Sequence, residues 1–168
     1  MDINDICHLP IKEIADDNCI LFIWGTWPKL LETIKVIESW GFKYRTSAFV
    51  WAKTNKSENV EQGSFFPIDA FSDFFGMGYY KRANTEYCLL ATKGKPKPIC
   101  SSVKQLIFSP LRQHSRKPEE TKNRIVELMG DLPRIELFAR EKTEGWDVWG
   151  NQIESSLEFN MVRDTANQ

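Results

Sequence analysis

The sequence predicts an α/β domain with a mostly parallel sheet flanked by helices. Short apolar runs alternate along the chain with segments whose apolar residues recur every three or four positions. The runs are typical of strands, and the spaced segments are typical of amphipathic helices. Glycine or proline stands at the ends of several segments, where such residues stop a helix or turn the chain. This alternation indicates a doubly wound sheet.

The N-terminal elements follow from capping residues and apolar runs. Asp2 and, three positions on, Asp5 form a capping pair that predicts a short helix. Residues 19–24 are a continuous apolar run, which is typical of a strand buried on both faces of a parallel sheet. Residues 28–40 carry apolar residues at helical spacing, and the glycine after them is a natural stop. Residues 47–52 are predicted as the second strand.

The C-terminal half contains two further strands and a helix. Residues 86–92 are predicted as a strand, and the turn after them, rich in lysine and proline, cannot continue it. Pro118 stands in the first turn of a helix, beside two glutamates whose charges suit a helix N-terminus. Gly130 and Pro133 end this helix. Residues 134–139 are the last clear strand.

Polar residues follow two of these predicted strands directly. Residues 53–55 come after the second strand, and residues 140–143 come after the last. Ligands of doubly wound sheets bind beyond the carboxyl ends of the strands. These two segments are therefore the first candidates for a functional role.

Composition excludes several classes of protein. With 168 residues and a formal net charge of −1, the chain is expected to be one domain without a global field that attracts polyanions. The four cysteines show no C-x-x-C spacing, which argues against a zinc site, and no secretory leader precedes them. No apolar run approaches the roughly 20 residues needed to cross a bilayer. We therefore expect a cytoplasmic protein with reduced thiols, no metal site and no membrane span.

Several short motifs occur in a characteristic order. They are FVWAKTN (49–55), FGMGYY (75–80), EYCLLATKG (86–94), HSRKPEE (114–120), IELFAR (135–140), GWD (145–147) and WGNQ (149–152). Together they resemble the MT-A70 family, which includes the catalytic subunit of the messenger-RNA adenine-N6 writer and many prokaryotic and phage DNA adenine methyltransferases. The compact layout is more similar to the prokaryotic and phage members than to the eukaryotic ones.

The resemblance covers residues 1–152 and implies a single domain with a permuted Rossmann-like methyltransferase fold, followed by a tail at 153–168. It implies S-adenosylmethionine as cofactor, bound by the C-terminal half, and a nucleic-acid adenine as acceptor. The family's catalytic motif, an acidic-Pro-Pro-aromatic tetrapeptide, does not occur in the sequence, so no catalytic residue is assigned. The strand that this motif ends would lie between those at 19–24 and 134–139. We therefore expect one central strand to be missing.

The resemblance implies an acceptor pocket lined by Glu86, Ser115 and Lys117. A carboxylate there accepts a hydrogen bond from an exocyclic amine. Simpler interpretations stand beside this one: Lys117 as a solvated lysine near a helix start, and Glu86 as the partner of Arg82 or a neighbouring lysine. His114 has no apparent partner and is interpreted as a surface imidazole.

The resemblance also implies a cofactor site formed by Lys117, Arg140, Asn151 and Gln152. The lysine would reach the methionyl carboxylate, or else the acceptor base, as a movable point charge. The other three would hold the ribose and adenine, since amides supply both donors and acceptors. The alternative for Asn151 and Gln152 is an ordinary polar turn after a strand.

The long loop between the second and third predicted strands is unusually aromatic. Its rings are Phe65, Phe66, Phe71, Phe74, Phe75, Tyr79 and Tyr80. They pack on the parent sheet, form a homo- or heterodimer interface through residues 65–80, as the resemblance implies, or stack on extruded bases through the two tyrosines.

Two functions of different classes follow. The first is an S-adenosylmethionine-dependent adenine-N6 methyltransferase acting on nucleic acid, DNA rather than RNA, in a chain that lacks the catalytic tetrapeptide. The second is a catalytically inactive homologue that serves as a scaffold or nucleic-acid-binding subunit.

Overall fold

The computed structural model describes residues 1–54, 80–81, 83–111 and 116–159 of the chain. Several predictions fall outside these residues. They concern Arg82, His114, Ser115, the loop at 65–79 and the tail beyond residue 159.

The helices among the described residues are α1 (Ile3–Cys7), α2 (Leu30–Ser39) and α3 (Glu120–Met129), with 3₁₀ turns at Ile11–Glu13 and Trp27–Lys29. The predicted cap of α1 is confirmed. The Asp2 side chain accepts hydrogen bonds from the amides of Asn4 and Asp5, and the Asp5 side chain accepts one from the Asp2 amide. These bonds satisfy amides that have no partner within the helix.

Six strands are described: β1 (Cys19–Gly25), β2 (Lys43–Thr54), β3 (Thr85–Lys93), β4 (Leu106–Pro110), β5 (Ile135–Leu137) and β6 (Asp147–Trp149). The first four form one sheet in the order β1-β3-β2-β4. The last two form a separate parallel pair.

The larger sheet is mixed, so the expectation of a mostly parallel sheet is wrong for this part of the chain. β3 runs antiparallel to both β1 and β2, and only β4 pairs in parallel, with β2. The physical reason is that β2 ends and β3 begins at the same edge of the sheet. A chain that re-enters a sheet at the edge where it left must run in the opposite direction.

The sheet separates two apolar clusters, because alternate residues of a strand point to opposite faces. On one face, the odd-numbered residues of β3 pack with α2 and the N-terminal segment around Ile37, which is fully buried. On the other face, Cys88 packs with Trp51 and Ile107. Burying one side chain of the size of Ile37 contributes roughly 1.5–3 kcal/mol, so these clusters hold the sheet in place.

β1 and β5 have no partner on their outer edges among the described strands. They nevertheless share a core, since Leu137 of β5 packs against the same cluster as Leu21 and Ile23 of β1. Among the described strands, pairing is interrupted between the two segments that the resemblance places on either side of the strand ending in the family's catalytic motif.

Candidate functional site

Three strands of the larger sheet begin or end along one edge, which is formed by the strand ends and not by the side of an outermost strand. β1 ends at Gly25 and β2 ends at Thr54, whereas β3 begins at Thr85. The pairing in register places Gly25 opposite Tyr87 and Trp51 opposite Glu86. This edge therefore combines two carboxyl strand ends with the start of β3, in the position where α/β sheets bind ligands.

Glu86 is a buried charged residue at this edge, with 7% of its surface exposed. Lys53 Nζ lies 2.7 Å from Glu86 Oε1, and Lys117 Nζ donates a hydrogen bond to Glu86 Oε2. The structure thus brings together two of the three residues predicted for the acceptor pocket. It also shows that Glu86 pairs with lysines, as the simpler interpretation held, and that one of them is Lys117 itself.

Tryptophan rings lie beside both ammonium groups. Lys117 Nζ lies 5.6 Å from the ring centroid of Trp24 and 5.8 Å from that of Trp51, while Lys53 Nζ lies 5.3 Å from the ring centroid of Trp51. The two rings meet edge to face at 6.4 Å. Trp51 Nε1 donates to the carbonyl oxygen of Ser109 at 2.8 Å, which ties this wall to β4. Partly desolvated cations gain from such ring faces.

Glu86 is held in its ionised form. Burial on its own raises the pKa of this carboxyl, but the hydrogen bonds and charges of Lys117 and Lys53 outweigh it, so the pKa is lowered. An ionised carboxylate accepts hydrogen bonds on both oxygens. Because two ammonium groups accompany one carboxylate, these three described groups together carry a net positive charge that suits an anionic ligand.

The segment that carries Lys117 is anchored on both sides. Pro118 is buried, and its carbonyl oxygen accepts a hydrogen bond from the amide of Thr121 in the first turn of α3. Arg116 forms an ion pair with Glu141, in the segment that follows β5. The lysine therefore extends from a fixed backbone toward Glu86.

Three of the four residues predicted to bind the cofactor lie at one end of the smaller sheet, whereas the fourth, Lys117, lies beside Glu86. β5 and β6 are parallel, so Arg140 beyond the first and Asn151 and Gln152 beyond the second follow ends on the same edge. All three are exposed. The backbones approach closely here, since a Cβ atom on Gly150 would lie 2.2 Å from the carbonyl oxygen of Ala139.

A separate cavity of about 550 Å³ lies beside β6. Its walls are Trp149, Ile153, Glu154, Ser155, Leu157, Glu158 and Phe159. None of the residues predicted for the cofactor lines it.

Comparison with known proteins decides the family. The MT-A70 family model matches residues 1–152. The chain belongs to the MT-A70 family. This confirms the resemblance seen in the sequence.

Individual MT-A70 relatives are similar over most of this chain. The Type II methyltransferase M.MunI of Mycoplasma sp is 36% identical over 155 residues, which are 91% of this chain and 58% of that protein. The N(6)-adenosine-methyltransferase MT-A70-like of Arabidopsis thaliana is 27% identical over 160 residues, 87% of this chain and 22% of that protein. The catalytic subunit METTL3 of Homo sapiens is 25% identical over 154 residues, 90% of this chain and 24% of that protein. The chain therefore spans little more than half of the Mycoplasma relative and under a quarter of the other two.

Two residues at the site of this MT-A70 chain were missed by sequence reasoning. Lys53 was anticipated from its place after a strand, but Trp24 and Trp51 were not singled out. A signal was present, because Trp51 and Lys53 are two positions apart and so share one face of a strand. Trp24 was the last side chain before the glycine that ends β1.

Metal-ligating side chains do not cluster in the described parts of this MT-A70 chain: no three of His, Cys, Asp and Glu come together there in a way that suits a metal ion. Across the same residues, every helix is too short or too polar to span a bilayer.

Proposed function

We propose that this chain is an S-adenosylmethionine-dependent adenine-N6 methyltransferase domain that acts on nucleic acid, and on DNA rather than RNA. The family supports the reaction class, and the higher identity to a type II methyltransferase than to adenosine methyltransferases favours DNA. The observation that carries the proposal is the Glu86 carboxylate, buried and ionised between Lys53 and Lys117 at the carboxyl edge of the sheet.

Glu86 is suited to orient the acceptor amine. An ionised carboxylate accepts a hydrogen bond from the exocyclic N6 amino group, which keeps the nitrogen lone pair aimed in one direction. Its lowered pKa makes it a poor base, so the proton released from the methylated amine passes to water. Orientation and electrostatics are thus the contribution of Glu86.

Lys117 is suited to occupy this site until a base enters and to give the site a positive charge. Its ammonium occupies the space between Trp24, Trp51 and Glu86, which is where a planar purine would stack. A flexible lysine side chain can leave this position for a phosphate or a carboxylate when a base enters. Lys53 then remains on Glu86 and keeps it ionised.

The exposed polar residues at the end of the smaller sheet fit the proposed cofactor. Arg140 offers a cationic donor fork, and Asn151 and Gln152 offer amide donors and acceptors for ribose hydroxyls and an adenine edge. Gly150 permits the close approach of the two strand ends that places these side chains on one edge. When bound, S-adenosylmethionine supplies an electrophilic methyl group on a sulfonium.

A second candidate is a non-catalytic nucleic-acid-binding subunit. The observation in its favour is that no acidic-Pro-Pro-aromatic tetrapeptide occurs in the sequence. Whether the chain is the enzyme or the non-catalytic subunit, the proposal includes a dimer formed through residues 65–80 and a cytoplasmic location.

Two measurements on the chain as it stands separate these functions. Calorimetry with S-adenosylmethionine and with an adenine-containing oligonucleotide measures binding. Incorporation of labelled methyl groups, with N6-methyladenine identified by mass spectrometry, measures transfer; DNA and RNA of one sequence are compared. Transfer that disappears in Glu86→Gln supports the enzyme. Binding of nucleic acid without transfer supports the scaffold, and no binding at millimolar ligand contradicts both.

A further inference from the structure

Trp27 is a large aromatic side chain left exposed at the edge that carries Glu86. It begins the 3₁₀ turn Trp27–Lys29 directly after β1, and 48% of its surface is exposed. The tryptophans that serve packing behave differently, since Trp40 is 3% exposed and Trp51 is 1% exposed. Packing alone therefore does not account for a tryptophan in this position.

The indole of Trp27 is held in one orientation. Its Nε1 donates a hydrogen bond to Thr85 Oγ1 at 2.9 Å, so its single polar atom is satisfied. Its ring contacts the ring of Tyr87 edge-on, with centroids 5.1 Å apart and planes at 67°. What the side chain still presents to solvent is apolar ring surface.

The turn beneath the indole is fixed as well. Thr33 Oγ1 donates to the carbonyl oxygen of Lys29, so its remaining bond at 2.9 Å must be accepted from the hydroxyl of Tyr87. Tyr87 in turn lies against Gly25, where a Cβ atom would come within 2.5 Å of its hydroxyl oxygen. The aromatic surface of Trp27 is thus preorganised, and binding to it would cost little conformational entropy.

The position of this surface relative to Glu86 follows from strand geometry. Thr85, the hydrogen-bond partner of Trp27, immediately precedes Glu86 in β3. Consecutive side chains of a strand point to opposite faces. Trp27 therefore lies at the same strand start as Glu86 but on the opposite face of the sheet, so a polynucleotide that contacts both has to pass over the strand ends.

We propose that Trp27 is a stacking residue for the base that flanks the target adenine in an extended strand. This inference rests on the proposed function and adds to it a residue that positions the nucleic acid outside the acceptor pocket. Aromatic rings stack on bases of any sequence, and a preformed, exposed indole is well suited to that role.

The first test measures binding of a fluorescein-labelled, single-stranded DNA nonamer with one central adenine by fluorescence anisotropy. Trp27→Ala is expected to weaken binding about 5- to 20-fold, and Trp27→Phe, which keeps a ring, no more than about threefold. Leu31→Ala is the control, because this neighbouring side chain is 82% exposed and is expected to leave affinity unchanged. Thermal melting verifies that each variant is folded.

The second test removes the base instead of the indole. Two nonamers are compared with the intact one, each lacking the base on one side of the adenine. One of the two should bind the native chain more weakly than the intact nonamer does, whereas Trp27→Ala should bind that nonamer and the intact one equally well. If the losses of binding free energy caused by the abasic position and by Trp27→Ala simply add, the inference is overturned. Additive losses would show that Trp27 acts by packing rather than on that base. Native affinity in Trp27→Ala overturns the inference too while leaving the proposed function intact. A native chain that binds no nonamer contradicts the proposed function as well.

Discussion

Arg116 forms an ion pair with Glu141, and this contact joins the segment before α3 to the segment after β5. Lys117 follows the first partner, and Arg140 precedes the second. One residue proposed for the acceptor and one proposed for the cofactor are thus sequence neighbours of this pair of charges. The ion pair is a structural link between the two halves of the proposed site.

Reversing this pair is expected to weaken binding at both halves. Arg116→Glu places two carboxylates in contact, which should raise the dissociation constants of S-adenosylmethionine and of the oligonucleotide several-fold. Stability should change by less than about 1 kcal/mol, since both side chains are roughly two-fifths exposed. Calorimetry measures the affinities. The double exchange with Glu141→Arg should restore them, whereas Lys142→Glu, in the exposed pair with Glu154, should change neither.

Glu86→Gln is expected to abolish methyl transfer and to destabilise the fold. The amide leaves the ammonium groups of Lys53 and Lys117 in proximity without a counter-charge, which should cost about 2–4 kcal/mol of unfolding free energy. Urea denaturation measures this loss. Restored stability in the double variant with Lys117→Met would show that charge repulsion is the cause. A Glu86→Gln variant with native stability and native transfer would rule out the role given to the carboxylate.

Acid should destabilise the chain in part through Glu86. Its pKa is lowered from an ordinary value of 4.5, so its stabilising contribution is fully present above that value and is lost as the pH falls through the lower folded pKa. Urea midpoints between pH 3 and 6 should therefore fall more steeply for the native chain than for Glu86→Gln. Parallel curves for the two proteins would contradict the assignment.

Trp51→Phe should cost about 2–4 kcal/mol of unfolding free energy. Trp51 is 1% exposed, so the smaller ring leaves a void in the core. The change also removes the indole N–H that donates to the carbonyl oxygen of Ser109. Trp27→Phe, at an exposed ring, is the matched control and should cost under about 1 kcal/mol. Guanidinium denaturation of the two variants measures the difference.

Local elements were predictable where local chemistry determines them. The apolar run at 19–24, the cap at Asp2 and the helical spacing before Gly41 each correspond to an observed element. The predicted strand at 134–139 is shorter in the structure, because Phe138 adopts a left-handed φ of 60° and ends β5.

Strand direction and weak strands were not predictable in the same way. The antiparallel course of β3 depends on where the chain re-enters the sheet, which no local pattern encodes. β4 contains a serine and a proline and exists because β2 pairs with it. Strand propensity depends strongly on such tertiary context.

The candidate site was predictable only in part. The contact between Glu86 and Lys117 joins residues 31 positions apart. Family resemblance, rather than periodicity, assigned both residues to one pocket, but their direct contact was not predicted. The tryptophan wall was not predicted: alternation along β2 places Trp51 on the face of Lys53, but Trp24 joins it only because β1 pairs with β3. Ser115 lies outside the described residues, so its place in the pocket stays a prediction.

The open edge of β1 has a consequence for peptide binding. Its residues are almost entirely apolar, and no described strand covers the amide and carbonyl groups on its outer side. Edges of this kind template the addition of like strands from other molecules. An extended peptide added to the protein is therefore expected to pair with β1 along this side.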